Sequence, residues 1–329
     1  MKRAEVAQYW EANAETWTRH ARAGYDIYRD GLNTPAFLDM LPPIHGLSGL
    51  DIGCGEGSNT RELVRLGATV HAIDVAPTFI RYARNAESAE PLGIAYLVAD
   101  ATDLPFASGS FDFATAFMSM MDMANHGAAL REAARVLRPG GFLQFSILHP
   151  CFVPPHRRVM REPNGTTRAI EVGGYFDTTD GRIDTFRFEN VPEEERQKAE
   201  PFRVPRFHRT LSGWVHLIVE AGLVIELFDE PRVSVEVAKA EPALEDTLVA
   251  PIFLHIRALK PAEPPRKRGS LQAAPPARAN FRVSHYLLSF PLDPLDILIG
   301  PTGALPSDAF LVQESAFSRN AHGDEGDLL

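Results

Sequence analysis

Short apolar runs alternate with amphipathic segments over residues 48–148. Apolar residues cluster at 49–52, 69–73, 94–98, 111–117 and 142–148, each run too short for a helix. Between them, 59–66, 77–86 and 128–137 set apolar residues three and four apart, as one face of a helix requires. Pro139-Gly140-Gly141 reads as a turn before the fifth strand. The alternation predicts right-handed strand–helix–strand units and a parallel sheet covered on both faces, a doubly wound α/β fold. Ligands of such sheets lie beyond the carboxyl ends of the strands. Asp51, Asp74, Asp100 and Phe117 fall at those ends.

The flanks have other patterns. Val6, Tyr9, Trp10, Ala14 and Trp17 predict a helix over 4–22, and Asn33-Thr34-Pro35 starts a second one over 35–41 that stops at Pro42-Pro43. Residues 149–207 break the alternation with Pro150, Pro154-Pro155, Gly173-Gly174 and Asp180-Gly181. Within them, 175–179 and 183–188 are predicted to pair as a hairpin around Asp180-Gly181, and 193–198 is a solvated charged run. The α/β pattern then resumes, with a helix at 210–221 ended by Gly222 and strands at 223–228 and 252–259. Residues 149–207 are therefore an insertion, and 208–260 complete the core of 48–148. Residues 261–329 hold nine prolines and no periodicity, which predicts a mostly disordered tail.

Composition narrows the class. A chain of 329 residues with 45% hydrophobic and 23% charged residues is globular. A net charge of −10 opposes binding to nucleic acid. Cys54 and Cys151 cannot form a disulfide scaffold, and no spacing suggests a metal site. No run is long and apolar enough to span a membrane, and Met1–Trp10 lacks the apolar core of a signal peptide. These features fit a cytoplasmic monomer or homodimer.

The chemistry gathers at Leu50-Asp51-Ile52-Gly53-Cys54-Gly55-Glu56-Gly57. Alternating glycines let the backbone bend sharply and expose bare main chain to a ligand. The spacing differs from the dinucleotide fingerprint, and a carboxylate two residues before the first glycine would repel a pyrophosphate at the helix N-terminus. That disfavours a nicotinamide oxidoreductase. An amino group or a sulfonium suits the acid. Asp74, closing the second strand, can accept both hydroxyls of a ribose. Asp100 can accept an exocyclic amine, and the Ala101 amide can donate to a ring nitrogen. Each acid alone is equally a cap or a solvated loop residue; together they describe a neutral nucleoside joined to a cationic group.

Residues 48–148 resemble the class I S-adenosylmethionine-dependent methyltransferases, in particular their small type 11 members. Leu-Asp-Ile-Gly-Cys-Gly-Glu-Gly at 50–57, Ala-Ile-Asp at 72–74 and Ala-Asp-Ala-Thr-Asp-Leu-Pro-Phe at 99–106 carry the likeness. Phe111-Asp112-Phe113 and Leu137-Arg138-Pro139-Gly140-Gly141 complete it. The resemblance implies a seven-stranded sheet whose antiparallel edge is built from 223–228 and 252–259. It implies S-adenosyl-L-methionine as cofactor, with Gly53 and Gly55 beneath the methionine part and Asp51 helping to hold its amino group. Asp74 would bind the ribose, Asp100 and Ala101 the adenine, and Phe117 would offer a main-chain carbonyl. Residues 1–47 resemble closing helices, so Tyr28, Tyr25 or Trp17 would cover the cofactor, and 149–207 would cap the acceptor.

Methyl transfer from a sulfonium needs alignment, and a base only when the acceptor must lose a proton. His149, just past the fifth strand, and His208, before the helix at 210, are the candidate bases; Arg209 and Tyr175 are candidate orienting groups. No Asn/Asp-Pro-Pro-Tyr/Phe follows the fourth strand, where Met118-Ser119-Met120-Met121 stands, which argues against amino-methylating DNA enzymes. A small apolar or aromatic acceptor is expected, with a non-catalytic S-adenosylmethionine-binding module as the alternative.

Overall fold

The computed structural model describes residues 1–262. The chain opens with helix α1 (Arg3–Arg22), a π-helical turn (Arg29–Asn33) and α2 (Thr34–Asp39). It then alternates through β1 (Ser48–Ile52), α3 (Ser58–Arg65), β2 (Thr69–Asp74), α4 (Pro77–Ala89), β3 (Ala95–Val98) and β4 (Phe111–Phe117). A 3-10 turn (Met120–Asp122), α5 (His126–Val136) and β5 (Leu137–Leu148) follow. After the insertion come α7 (Leu211–Glu220), β10 (Val224–Asp229), α8 (Val235–Ala240) and β11 (Phe253–Leu259). The tail expected at 261–329 lies almost wholly outside the described residues.

The sheet has seven strands in the order β10-β11-β5-β4-β1-β2-β3. Strands β1 to β5 run parallel, and β11 is antiparallel to both β5 and β10. This is the doubly wound sheet with an antiparallel edge that the sequence predicts. The strand order reverses between β1 and β4, so the loops after them diverge and leave a crevice at that end. Leu50, Ile52, Ala114, Ala116, Phe145 and Ile147 fill one face with Trp214 and Ile218 of α7. On the other, Phe113 stacks on Phe142 at 5.6 Å. Gly49 is required beneath that ring, because a Cβ there would lie 2.2 Å from it.

Two expectations fail. Pro139-Gly140-Gly141 is not a turn before the fifth strand. It lies inside β5, where the register against β4 shifts between Phe111 and Phe113. Gly140 takes φ +84°, and the Gly140 N–H donates to the Lys260 carbonyl at 2.8 Å, so the bulge stays paired to the end of β11. The hairpin around Asp180-Gly181 is also absent. Residues 175–176 form a turn and 177–179 no regular element, and β8 (Arg182–Phe186) pairs instead with β9 (Phe202–Arg206). Phe186, Phe188 and Phe202 meet Trp17 of α1 at 5.9, 4.9 and 4.8 Å, a burial that pairing with 175–179 would forgo. The insertion adds a second ribbon, β6 (His156–Arg161) with β7 (Thr167–Gly173), that contains no buried residue. The charged run forms the fully unburied helix α6 (Glu193–Lys198).

Candidate active site

A cavity of about 480 Å³ opens beyond the carboxyl ends of β1, β2, β3 and β4. Asp51, Gly53, Gly55, Asp74, Asp100, Ala101, Phe117 and Tyr28, each expected from sequence, all line it. His149 and His208 do not.

The glycine loop is shaped by left-handed backbone. Gly53 and Gly55 take φ +73° and +56°, which side chains rarely adopt. A Cβ on Gly53 would strike Ser119 at 2.4 Å, whereas none within 4 Å would meet one on Gly55, whose bare face opens on the cavity. The Gly53 and Cys54 N–H groups donate to the Ile73 carbonyl at 2.8 and 2.9 Å, tying the loop to β2. The Asp74 carboxylate completes that tie: Oδ2 accepts from Gly55 N–H and Oδ1 from Ala76 N–H, both at 2.9 Å. Burial pushes the Asp74 pKa up to about 6 against the pull of these donors.

Asp51 is buried, and each of its oxygens accepts one hydroxyl. Oδ2 accepts from the Thr60 hydroxyl at 2.6 Å and Oδ1 from the Thr115 hydroxyl at 2.8 Å. Burial raises its pKa and the two hydroxyls lower it. Thr60→Val keeps the shape but leaves Oδ2 without its donor in the interior. The expected loss is about 1–2 kcal/mol of stability, read from urea unfolding; an unchanged midpoint would mean water replaces the hydroxyl. At the third strand end, Asp100 Oδ1 accepts from the Thr102 N–H and hydroxyl at 2.8 and 2.7 Å. Asp100 Oδ2 meets Arg3 of α1 at 3.1 Å, so α1 closes over this edge of the cavity. Ala101 lies beside it, with 9% of its surface exposed.

Phe117 ends β4 with its ring edge-on to Phe37 at 5.2 Å. Met118, next to it, has φ +50°, the one positive φ at a non-glycine residue among those described. The Met118 N–H donates to the Ser146 carbonyl and hydroxyl at 3.1 and 3.0 Å, which holds the bend. Strain of this kind costs on the order of 1–3 kcal/mol and turns the chain directly into the cavity wall. The Tyr28 ring faces the cavity, but the hydroxyl is tied away from it, to the Ala243 carbonyl at 2.6 Å and Asp246 at 3.0 Å. Trp10 and Trp17 of α1 and Phe186 and Phe188 of the insertion also line the cavity.

The two histidines are corrections. His149 is 2% exposed; Nε2 donates to Glu230 at 2.7 Å and Nδ1 accepts from the Cys151 N–H at 3.1 Å, so neither nitrogen is free to take a proton. His208 Nε2 donates to the Tyr175 carbonyl at 2.9 Å, and burial lowers its pKa. Arg209 is spent on Asp180 and two carbonyls, and the Tyr175 hydroxyl accepts from the Leu211 N–H. His208, Arg209 and Tyr175 brace the approach to α7, and His149 braces the turn after β5.

Sequence reasoning passed over Asp122. It closes the 3-10 turn after β4, lines the cavity and is 5% exposed. Its signal was a lone acid within Met118-Ser119-Met120-Met121-Asp122-Met123.

The donor set discriminates between cofactors. Three acids at adjacent strand ends and a bare Gly55 surface fit a neutral nucleoside with a cationic amino-acid tail, and oppose a pyrophosphate. Comparison agrees. Residues 50–145 match the model of the methyltransferase domain family. The ubiquinone biosynthesis O-methyltransferase of Xanthomonas oryzae pv. oryzae is 34% identical over 146 residues, 43% of this chain and 56% of that one. The demethylmenaquinone methyltransferase of Tropheryma whipplei is 38% identical over 160 residues, 47% and 65% respectively. The chain thus spans 56–65% of the length of these two relatives. An S-adenosylmethionine-dependent methyltransferase from Mesorhizobium loti superposes with a TM-score of 0.55 at 26% identity, over 68% of this chain and 96% of that one. The α/β core of this chain is a class I S-adenosylmethionine-dependent methyltransferase domain, and its cofactor is S-adenosylmethionine.

Proposed function

We propose that the protein transfers a methyl group from S-adenosylmethionine to a small-molecule acceptor held in the part of the cavity beyond β4. The observation that carries this reading is one cavity lined both by three strand-end carboxylates and by the apolar side chains of Phe117, Met118, Met121 and Met123. An acceptor with an apolar or aromatic body matches those side chains, because thioether side chains adapt to flat apolar surfaces. The names of the relatives, with an O-methyltransferase among them, support a hydroxyl acceptor.

Asp74, Asp100 and Asp51 would hold the ribose, the adenine and the amino group, with Gly53 and Gly55 beneath the amino-acid part. The sulfonium supplies an already activated methyl group. The chain's own contribution is alignment and a dry site: Trp10, Trp17, Phe186 and Phe188 exclude water above the strand ends.

The test is incubation with methyl-labelled S-adenosylmethionine and a metabolite extract. A labelled small product is expected. Calorimetric binding of S-adenosylhomocysteine without any labelled product would leave only a non-catalytic binding module, and binding of NADH instead would overturn the reading altogether.

A further inference from the structure

Among the described residues, Asp122 is the one buried carboxylate of the cavity wall that the protein leaves without a partner. Its side chain takes part in no hydrogen bond or ion pair among the described residues, although it is 5% exposed and lines the cavity. Its backbone is fixed: the Asp122 N–H donates to the Ser119 carbonyl at 3.1 Å, in a turn anchored where Ser119 Oγ donates to the Ile52 carbonyl at 2.6 Å. The turn that carries the carboxyl is therefore held in place among Met118–Met123.

The groups that face it are few. Arg206 of β9 and Asp184 of β8 act on it from the insertion, and they are already paired to each other at 2.6 Å. His126 of α5 donates to the carbonyl of Met121, the residue before Asp122, at 3.3 Å, and burial pushes its pKa down to about 4, so it brings no charge. From β5, Leu148 donates to the Met121 sulfur at 3.1 Å and brings no charge. Burial raises the Asp122 pKa to about 8. A buried acid without donors costs free energy in the ligand-free protein, and a ligand that supplies a donor recovers it.

We infer that Asp122 is the catalytic residue that receives the proton of the acceptor, and that the acceptor is a weakly acidic hydroxyl compound with an apolar body. This rests on the methyl-transfer reading above. The acceptor O–H bond breaks as its proton passes to an Asp122 oxygen. The acceptor oxygen forms the new C–O bond while the methyl–sulfur bond breaks, and that bond's electron pair stays on sulfur. Asp122 then returns the proton to water. Arg206 and Arg187, both on the cavity wall, favour an oxygen gaining negative charge and disfavour an ammonium ion in the same space. An acid titrating near the operating pH is also suited to take a proton from a phenol-like hydroxyl.

The test uses the full chain saturated with S-adenosylhomocysteine, with phenol and benzylamine as probes titrated by calorimetry. Phenol is expected to bind more tightly than benzylamine, and its affinity to rise between roughly pH 7 and pH 9, as the carboxylate form grows in. Asp122→Asn should weaken phenol by about tenfold, abolish that rise and leave S-adenosylhomocysteine affinity within about twofold, and Asp122→Glu should restore part of the pH response. With labelled cofactor, methyl transfer to phenol should fall about 100-fold or more in Asp122→Asn. Equal phenol binding and pH response in Asp122→Asn, tighter binding of benzylamine, or no binding of phenol to a protein that holds S-adenosylhomocysteine would each overturn the assignment. Failure to bind S-adenosylhomocysteine would instead remove the methyl-transfer reading, and this inference with it.

Discussion

Asp74→Ala is expected to weaken S-adenosylhomocysteine binding by about 2–4 kcal/mol, roughly 30- to 1,000-fold, because the carboxylate serves two structures at once. It is the acceptor predicted for the ligand's hydroxyls, and it also accepts the Gly55 and Ala76 N–H bonds that shape the loop beneath the ligand. Alanine leaves both backbone donors without that partner and frees the loop. Asp74→Asn keeps one carbonyl acceptor and should lie between alanine and the wild type. The same residue sets a pH dependence. Hydroxyl donors favour the ionised carboxylate, so the bound state has the lower pKa and affinity is lost as pH falls through the free-state value of about 6. Above roughly pH 7 the affinity should be flat. Calorimetry on the wild type and Asp74→Ala from about pH 5 to pH 8 checks both points. An alanine variant with unchanged affinity would put the ribose elsewhere, and a wild type insensitive to pH would remove Asp74 from the ligand.

The chain reveals its fold where local signals and tertiary structure agree. Glycines and prolines punctuate 48–148, and each strand there is a short apolar run, so β1 to β4 begin and end within one residue of expectation. The acids that line the cavity were legible for the same reason: a residue that closes a strand is placed by the strand. What sequence could not show depends on distant partners. Asp180-Gly181 does mark a turn, but the strand that pairs with β8 is chosen by Trp17, some 170 residues earlier in the chain. Pro139-Gly140-Gly141 has turn chemistry, yet the pairing of Gly140 and Gly141 with Lys260 keeps it in the sheet. The ribbon of β6 and β7 buries nothing and leaves no hydrophobic period to read. His149 was a candidate by residue type and position, and its hydrogen-bond partner Glu230 lies 81 residues away. Asp122 failed to attract notice for the opposite reason: a single acid in a turn looks solvated until its burial is known.

Trp17→Ala should cost about 3 kcal/mol of stability and, more tellingly, release the roof of the cavity. Trp17 is the one side chain that meets Trp10, Phe186, Phe188 and Phe202 together, at 5.4, 5.9, 4.9 and 4.8 Å. It thereby joins α1 to the β8–β9 ribbon. Ala21 and Trp10 add smaller apolar contacts to the same cluster, and the remaining links are polar. Met1 donates to the Asp180 carbonyl, Asn13 donates to the Arg203 carbonyl at 2.9 Å, and Arg19 pairs with Glu195 at 3.6 Å on the surface. Removing the indole deletes the largest apolar contact and leaves smaller ones with a few polar bonds. Faster amide exchange is expected across Arg3–Arg22 and Arg182–Arg206, with β1 to β5 unaffected. Trp17→Phe, which keeps an edge-to-face partner for Phe188 and Phe202, should recover most of both effects. Urea unfolding followed by two probes, with exchange measured by mass spectrometry, separates local from global loosening. Unchanged exchange in the ribbon would show that α1 and the insertion are held together by something other than this aromatic cluster.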